Sequence, residues 1–243
     1  MKNQLWQWIS ESENIVFFTG AGVSTESGIP DFRGSAGLYR DASAEEILSR
    51  RYFFAHPDVF YRFYLDHLVY PDAEPNILHR LISDLEKEGK TITVVTQNID
   101  GLHQKAGNRR VLCLHGSIET STCLNCGDAF TLAEVLDKTK KAIPPRCACG
   151  GLIKPDVVLF GEGLDYQVLS AAAKAIYDAQ MLIVCGTSLV VNPAASLVQY
   201  YRGKRFVIVN RDRTPYDPYA DLVIRDGIGQ VCFEIAERMK RGG

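Results

Sequence analysis

Ile15-Val16-Phe17-Phe18 is a short run of β-branched and aromatic residues that passes without a break into Thr19-Gly20-Ala21-Gly22. A run of that length and make-up reads as a buried strand. Glycines spaced this closely at the carboxyl end of a strand allow backbone N–H groups to approach a phosphate. The same arrangement recurs along the chain. Residues 92–95 run into Thr96-Gln97-Asn98-Ile99-Asp100, residues 111–114 into His115-Gly116, and residues 157–160 into Gly161-Glu162. Met181–Cys185 runs into Gly186-Thr187-Ser188, and Phe206–Val209 into Asn210. Helical spacing fills the intervals at 3–9, 76–88, 165–178, 193–201 and 227–240. The clearest case is Ile77, Leu78, Leu81, Ile82 and Leu85 on one face, stopped by Gly89. Alternating strands and helices with polar residues at the strand ends predict a doubly wound parallel sheet, whose carboxyl edge forms the ligand crevice.

Composition narrows the partners. The 243 residues carry a formal net charge of −2 and no long basic stripe, which disfavours direct binding of nucleic acid. The first residues lack the continuous apolar core of a signal peptide, and the other apolar runs are of strand length, so no membrane span is expected. A soluble cytoplasmic protein is the expectation.

Two stretches interrupt the alternation. Residues 34–50 show no clear period and read as a loop able to close over a ligand. Residues 51–70 are dense in aromatics, with Pro57 opening a helix. That stripe reads either as packing within a small lobe or as the lining of an apolar tunnel. The second interruption, 118–153, holds Cys123, Cys126, Cys147 and Cys149 out of seven cysteines. Two close pairs of thiolates beside Gly127, Gly150 and Gly151 suit one tetrahedral zinc ion. With no open coordination position the zinc would be structural. Cys113, Cys185 and Cys232 read as inert core thiols of a reducing compartment.

Asn98, Asp100 and His115 stand just beyond predicted strands. A histidine there is able to take a proton from a sugar hydroxyl, or is simply structural; Asn98 and Asp100 taken alone read also as turn residues. Gly186-Thr187-Ser188 suggests a second phosphate or ribose contact, and Asn210 a ribose ligand. Position 25 is Thr where a dinucleotide fingerprint has its third glycine, and no acid follows a second strand in the usual place. A simple hydride-transfer dehydrogenase is therefore disfavoured.

Taken together, Gly20-Ala21-Gly22-Val23-Ser24, Gly28-Ile29-Pro30-Asp31-Phe32-Arg33, Thr96-Gln97-Asn98-Ile99-Asp100, His115-Gly116, the four cysteines, Phe160-Gly161-Glu162, Gly186-Thr187-Ser188 and Val209-Asn210 closely resemble the sirtuins, NAD-dependent protein lysine deacylases, in the order of that family. The compact length resembles its prokaryotic members. The resemblance implies an α/β fold: a Rossmann-like doubly wound parallel sheet (1–33, 76–117 and 154–243) with a small lobe made of a helical insertion (34–75, with the cofactor loop) and a zinc-binding insertion (118–153). It implies NAD as co-substrate, touched by Gly20, Ala21, Gly22, Thr25, Asp31, Phe32, Arg33, Gln97, Asn98, Ile99, Asp100, His115, Gly186, Thr187, Ser188, Asn210 and Ile228, the last beside adenine. It implies an acylated-lysine protein or peptide that adds a strand between Gly161-Glu162 and Leu189 to Val191, with Val158, Phe160 and Val191 lining the acyl-lysine tunnel. His115 would be the base, Asn98 would orient a water or ribose hydroxyl, Asp100 would hold the nicotinamide carboxamide, Phe32 would cover the reacting sugar carbon, and Arg33 would hold the closing loop. Products would be nicotinamide, O-acyl-ADP-ribose and free lysine, made by a monomer. Family members that prefer succinyl or malonyl groups carry Tyr-x-x-Arg in the helical lobe; here the stretch is Tyr61-Arg62-Phe63-Tyr64, so neutral acyl groups are expected. Mono-ADP-ribosyl transfer to protein and a catalytically silent NAD or ADP-ribose sensor are the alternatives.

Overall fold

A computed structural model describes residues 1–32, 37 and 43–241; Arg33 and the rest of the expected cofactor loop before residue 43, Gly37 apart, lie outside them. Six parallel strands form the central sheet: β1 (Asn14–Thr19), β2 (Thr91–Thr96), β3 (Val111–Cys113), β7 (Met181–Cys185), β8 (Phe206–Val209) and β9 (Leu222–Ile224). Their order is β3-β2-β1-β7-β8-β9. The chain winds outward from β1 in one direction, then restarts at β7 on its other side, so the strand order reverses between these two neighbours. Such a switch point leaves a crevice at the carboxyl ends of the strands.

Both faces of the sheet are covered, which explains why its strands are apolar throughout. Successive side chains of β1 alternate between the faces. Ile15 and Phe17 pack under α1 (Lys2–Glu11), α5 (Ile77–Lys87) and α9 (Ile228–Lys240), through Leu5, Ile9, Leu78, Ile82, Val231 and Ile235. Val16 and Phe18 pack against α8 (Tyr166–Asp178) and the 3₁₀ turns at Ala195–Tyr200, through Ala172, Ile176, Leu197 and Val198. Asp165 starts α8 by accepting from the N–H groups of Gln167 and Val168, giving two of the first-turn donors a partner.

A third core makes the second lobe. It joins α2 (Ala44–Ile47), α3 (Arg50–Ala55) and α4 (Pro57–His67) to an antiparallel sheet of β4 (Gly116–Cys123), β5 (Ala129–Thr131) and β6 (Ile153–Val157), ordered β5-β4-β6. Phe53, Phe60, Tyr61 and Tyr64 are fully buried there with Ile118 and Ile153. Phe53 and Phe60 meet edge to face with centroids 4.9 Å apart. The aromatic stripe is thus the packing of the small lobe and not a tunnel lining. Two short helices complete the chain: α6 (Leu102–Lys105) follows Asp100, and α7 (Leu132–Thr139) opens on a capping box between Thr131 and Glu134.

The reading of 157–160 as a strand is corrected. β6 ends at Val157 and pairs antiparallel with β4. Phe160 instead donates to Leu48 O at 3.0 Å and accepts from Arg50 N at 2.9 Å. Gly161, at φ 86°, turns the chain where an ordinary side chain would be strained. The helix expected over 193–201 is reduced to the 3₁₀ turns, and β9 was not anticipated. Among the described residues no helix is long and apolar enough to cross a membrane.

Candidate functional site

A cleft of about 360 Å³ opens at the switch point and runs toward the second lobe. Its floor is the turn after β1 laid on the turn after β7. Gly20 N donates to Cys185 O at 3.1 Å and Gly22 N to Gly186 O at 2.9 Å. A Cβ on either glycine would stand 2.9 Å from Gly186 O. These glycines are therefore required by the close approach of two backbone turns, as well as by any ligand above them. Gly186 itself sits at φ 60°, where a Cβ would come within 2.5 Å of Val23 N.

Of the residues expected at the site, Gly20, Ala21, Gly22, Asp31, Phe32, Gln97, Asn98, Ile99, His115, Val158, Phe160, Gly161, Glu162, Gly186, Thr187, Ser188, Val191 and Asn210 all line this cleft. Asp100 is not among the residues that line the cleft. Its Oδ2 accepts from Ser24 Oγ at 2.6 Å, and its Oδ1 accepts from Leu102 N at 2.9 Å. Thr25 donates to Gly22 O at 2.9 Å. Leu189 turns into the core shared with α8, so its side chain is not on the substrate wall. Ile228 begins α9 and packs against the other core. Arg33 lies outside the described residues.

Ser24, part of the Gly20-to-Ser24 motif with no role expected of its own, joins two expected site residues through its hydroxyl: it donates to Asp100 and accepts from Asn98 Nδ2 at 3.0 Å. Its polar type within a glycine turn was the available signal. Leu48, Leu68 and Leu159 add apolar wall from the second lobe, and nothing in their local sequence marks them. Among the described residues the wall carries no Lys or Arg. Tyr61 instead donates to Ile153 O at 2.7 Å, and Tyr64 is fully buried.

His115 follows β3 and points its Nδ1 at Gln97 O, 2.9 Å away. A carbonyl oxygen only accepts, so Nδ1 carries the proton and Nε2 keeps the free lone pair. Burial lowers the pKa of this ring, against a smaller upward effect of the Gln97 contact, which keeps it neutral and ready to accept a proton near pH 7. Gln97 Nε2 donates to Thr187 Oγ1 at 3.0 Å, tying the ends of β2 and β7 across the cleft.

The four cysteines of the second lobe converge, with all four Sγ atoms within 4.8 Å of one another. Cys123 and Cys149 lie 3.5 Å apart, Cys126 and Cys147 3.6 Å, and Cys126 and Cys149 3.4 Å. Four sulfurs around tetrahedral zinc would be about 3.8 Å apart, given Zn–S bonds of roughly 2.3 Å. The set therefore fits one ion with no ligand position left over. Asn125 N reaches Cys123 Sγ at 3.4 Å, an outer contact of the kind that orients thiolate ligands. A Cβ on Gly151 would stand 2.6 Å from Cys123 Sγ, so this knuckle needs glycine for space.

In class, this is a doubly wound nucleotide-binding fold with its cleft at the switch point and a separate metal-binding lobe. The chain belongs to the Sir2 family, whose model matches residues 20–193. An NAD-dependent protein deacetylase of Cutibacterium acnes is 50% identical over 237 residues, covering 96% of each chain. An NAD-dependent protein deacetylase of Clostridium acetobutylicum is 48% identical, covering 94% of this chain and 95% of its own. A solved structure described as Sir2-p53 peptide-NAD+ is 37% identical, with a TM-score of 0.89 over 99% of both chains.

Proposed function

We propose that this protein is an NAD-dependent protein lysine deacetylase that transfers the acyl group to ADP-ribose. The single observation that carries this is His115: a neutral base with a defined tautomer, set in the wall of a cleft that also holds the glycine turns. NAD enters as a substrate. The turns at Gly20 to Gly22 and Gly186 to Ser188 hold its pyrophosphate. Asn210 Nδ2 is engaged with Asp212 O, which leaves the amide oxygen of Asn210 available to a ribose hydroxyl. Asp100, fixed by Ser24 and the start of α6, holds the nicotinamide carboxamide with Ile99. Phe32 covers the sugar carbon as nicotinamide leaves and the acyl oxygen bonds to it. Asn98 orients the ribose hydroxyl and His115 Nε2 takes its proton. Positioning and electrostatics supply most of the rate, since an amide oxygen is a weak nucleophile.

The peptide lies along residues 158–162 as an added strand, with the acyl-lysine passing between Val158, Phe160 and Val191. An apolar wall without a described cation favours acetyl and other neutral acyl groups. The zinc held by the four thiolates braces the second lobe and takes no part in the chemistry. A monomer suffices for this reading, since the described lining residues of the cleft all come from one chain. All seven cysteines are unpaired, which supports a reducing, cytoplasmic setting. Nicotinamide release from NAD with an acetyl-lysine peptide, with mass spectrometry of the products, tests the proposal. Free lysine with O-acetyl-ADP-ribose supports it. ADP-ribosylated protein would establish transfer to protein instead, and NAD binding without nicotinamide release would make the chain a sensor.

A further inference from the structure

The peptide-binding segment belongs to neither sheet, so its shape depends on a few contacts. On one side Phe160 bridges to Leu48 and Arg50, and Val158 N donates to His115 O at 2.9 Å. On the other side stands Lys154, a residue of β6 whose side chain is 14% exposed. Its ammonium group donates to Pro155 O at 3.2 Å and to Val157 O at 2.9 Å. Its third contact is Glu162 Oε2, at 3.1 Å. The same carboxylate oxygen accepts from Leu159 N at 3.0 Å, while Glu162 N donates to Leu159 O at 2.9 Å. The turn from 159 to 162 is thereby closed twice, once through backbone and once through a charged side chain anchored to β6.

We propose that Lys154 and Glu162 form a staple that holds residues 158–162 in the shape an incoming peptide strand requires, and that both act as positioning residues for the acyl-lysine peptide. The proposal rests on the deacetylase reading above. Glu162 then has a different role from a side-chain contact to substrate: its carboxylate faces Lys154 and Leu159 N. Charge-assisted hydrogen bonds are stronger than neutral ones, and these are shielded from water on most sides. A template fixed before binding spares the peptide the cost of ordering it. The glycine turns and Asn210, which hold the dinucleotide in that reading, follow β1, β7 and β8, whereas the staple joins β6 to the turn that follows it.

The test is steady-state kinetics of the zinc-loaded protein with an acetyl-lysine peptide and NAD. Four variants are compared: Lys154→Met, Glu162→Gln, the double variant and Lys154→Arg. Lys154→Met is expected to raise the peptide KM about tenfold while the NAD KM stays within about twofold, since misplacing a substrate by a fraction of an ångström is costly. Lys154→Arg should restore most of the peptide affinity. The double variant should be no worse than Lys154→Met alone, because paired residues are non-additive. A fall in melting temperature with the peptide KM unchanged, or equal rises in both KM values, overturns the proposal. Should Lys154→Met fail to fold by circular dichroism, Glu162→Gln decides: it keeps an acceptor for Leu159 N, and an unchanged peptide KM refutes the staple. Absence of nicotinamide release by the parent protein would instead refute the deacetylase reading.

Discussion

Acidification from pH 7 to pH 5 should destabilise this protein through one buried pair of imidazoles. His79 and His103 stand with ring centroids 4.6 Å apart, His103 in contact with Thr19 at the end of β1. Their hydrogen bonds define both tautomers. Asn76 N donates to His79 Nδ1 at 3.2 Å, so that nitrogen is unprotonated and the proton is on Nε2. Asn108 Nδ2 donates to His79 O, so Asn108 Oδ1 accepts from His103 Nδ1 at 2.8 Å, and Thr19 Oγ1 donates to His103 Nε2 at 3.1 Å. A second proton on His79 would land on Nδ1 and face the N–H of Asn76, breaking the cap of α5. Asn76 also donates to Val23 O at 2.7 Å and to Ser27 Oγ at 3.0 Å, so the damage would reach the turns that follow the Gly20 to Gly22 floor.

Burial, then His103 and Arg80 nearby, push the His79 pKa down from 6.5 to about 3. Burial also lowers that of His103, against smaller upward effects of Asn108 and Asp100. The unfolded chain thus binds protons near pH 6.5 that the native state refuses. Stability is complete above that pH, and the loss accumulates as the pH falls toward about 3. At pH 5 the loss from His79 alone is about 2 kcal/mol relative to pH 7. That figure hardly depends on how far below 5 the native value lies, because it is set by the unfolded histidine. For a chain of this size it corresponds to a fall of roughly 4–8 °C in melting temperature. His79→Gln removes the titration and keeps an acceptor at the third position of the helix, where Gln is a natural cap partner. Thermal unfolding of both proteins across this range should show the parent falling further by about 2 kcal/mol. Acid release of zinc affects both alike and cancels in the comparison. Parallel stability curves would refute the assignment of these rings as neutral, proton-refusing groups.

Other outcomes follow from the same geometry. His115→Ala should lower deacylation about 10²- to 10⁴-fold with little change in melting temperature; a near-parental rate would remove His115 as the base. Since burial lowers the pKa of His115, the acid limb of kcat/KM due to this group should fall below pH 6.5, and a limb above that value would contradict it. Cys147→Ser should lose zinc by elemental analysis and destabilise the second lobe. Gly186→Ala should cost about 1–3 kcal/mol from backbone strain alone, and should also weaken NAD affinity in calorimetry, because its Cβ would press on Val23 N. Desuccinylation should be slow beside deacetylation in a peptide panel; the reverse order would mean that a cation outside the described wall reaches the acyl group.

Strand ends were legible in the sequence because they are local: an apolar run, then glycine, asparagine or histidine, fixes where the backbone turns. The parallel pairing of β1 with both β2 and β7 then brings the separate turns to one edge. What a side chain faces is not local. Ser24 meets Asn98 and Asp100, 74 and 76 positions away, and no spacing rule connects them. Leu189 and Glu162 show the same limit from the other side: both were expected on the substrate wall, yet one side chain enters the core and the other turns to Lys154. β4 escaped notice because Gly116–Cys123 is polar at most positions and is stabilised by the aromatic residues of α3 and α4, which the sequence places before two intervening strands. A reading by strand ends is therefore dependable for glycines, whose role is set by backbone approach. It is weakest for hydroxyl and carboxylate side chains in turns, where a distant partner decides whether the group faces substrate or holds the wall. Glu162 is the case that separates the two roles, since only a holding group should share its effect with Lys154.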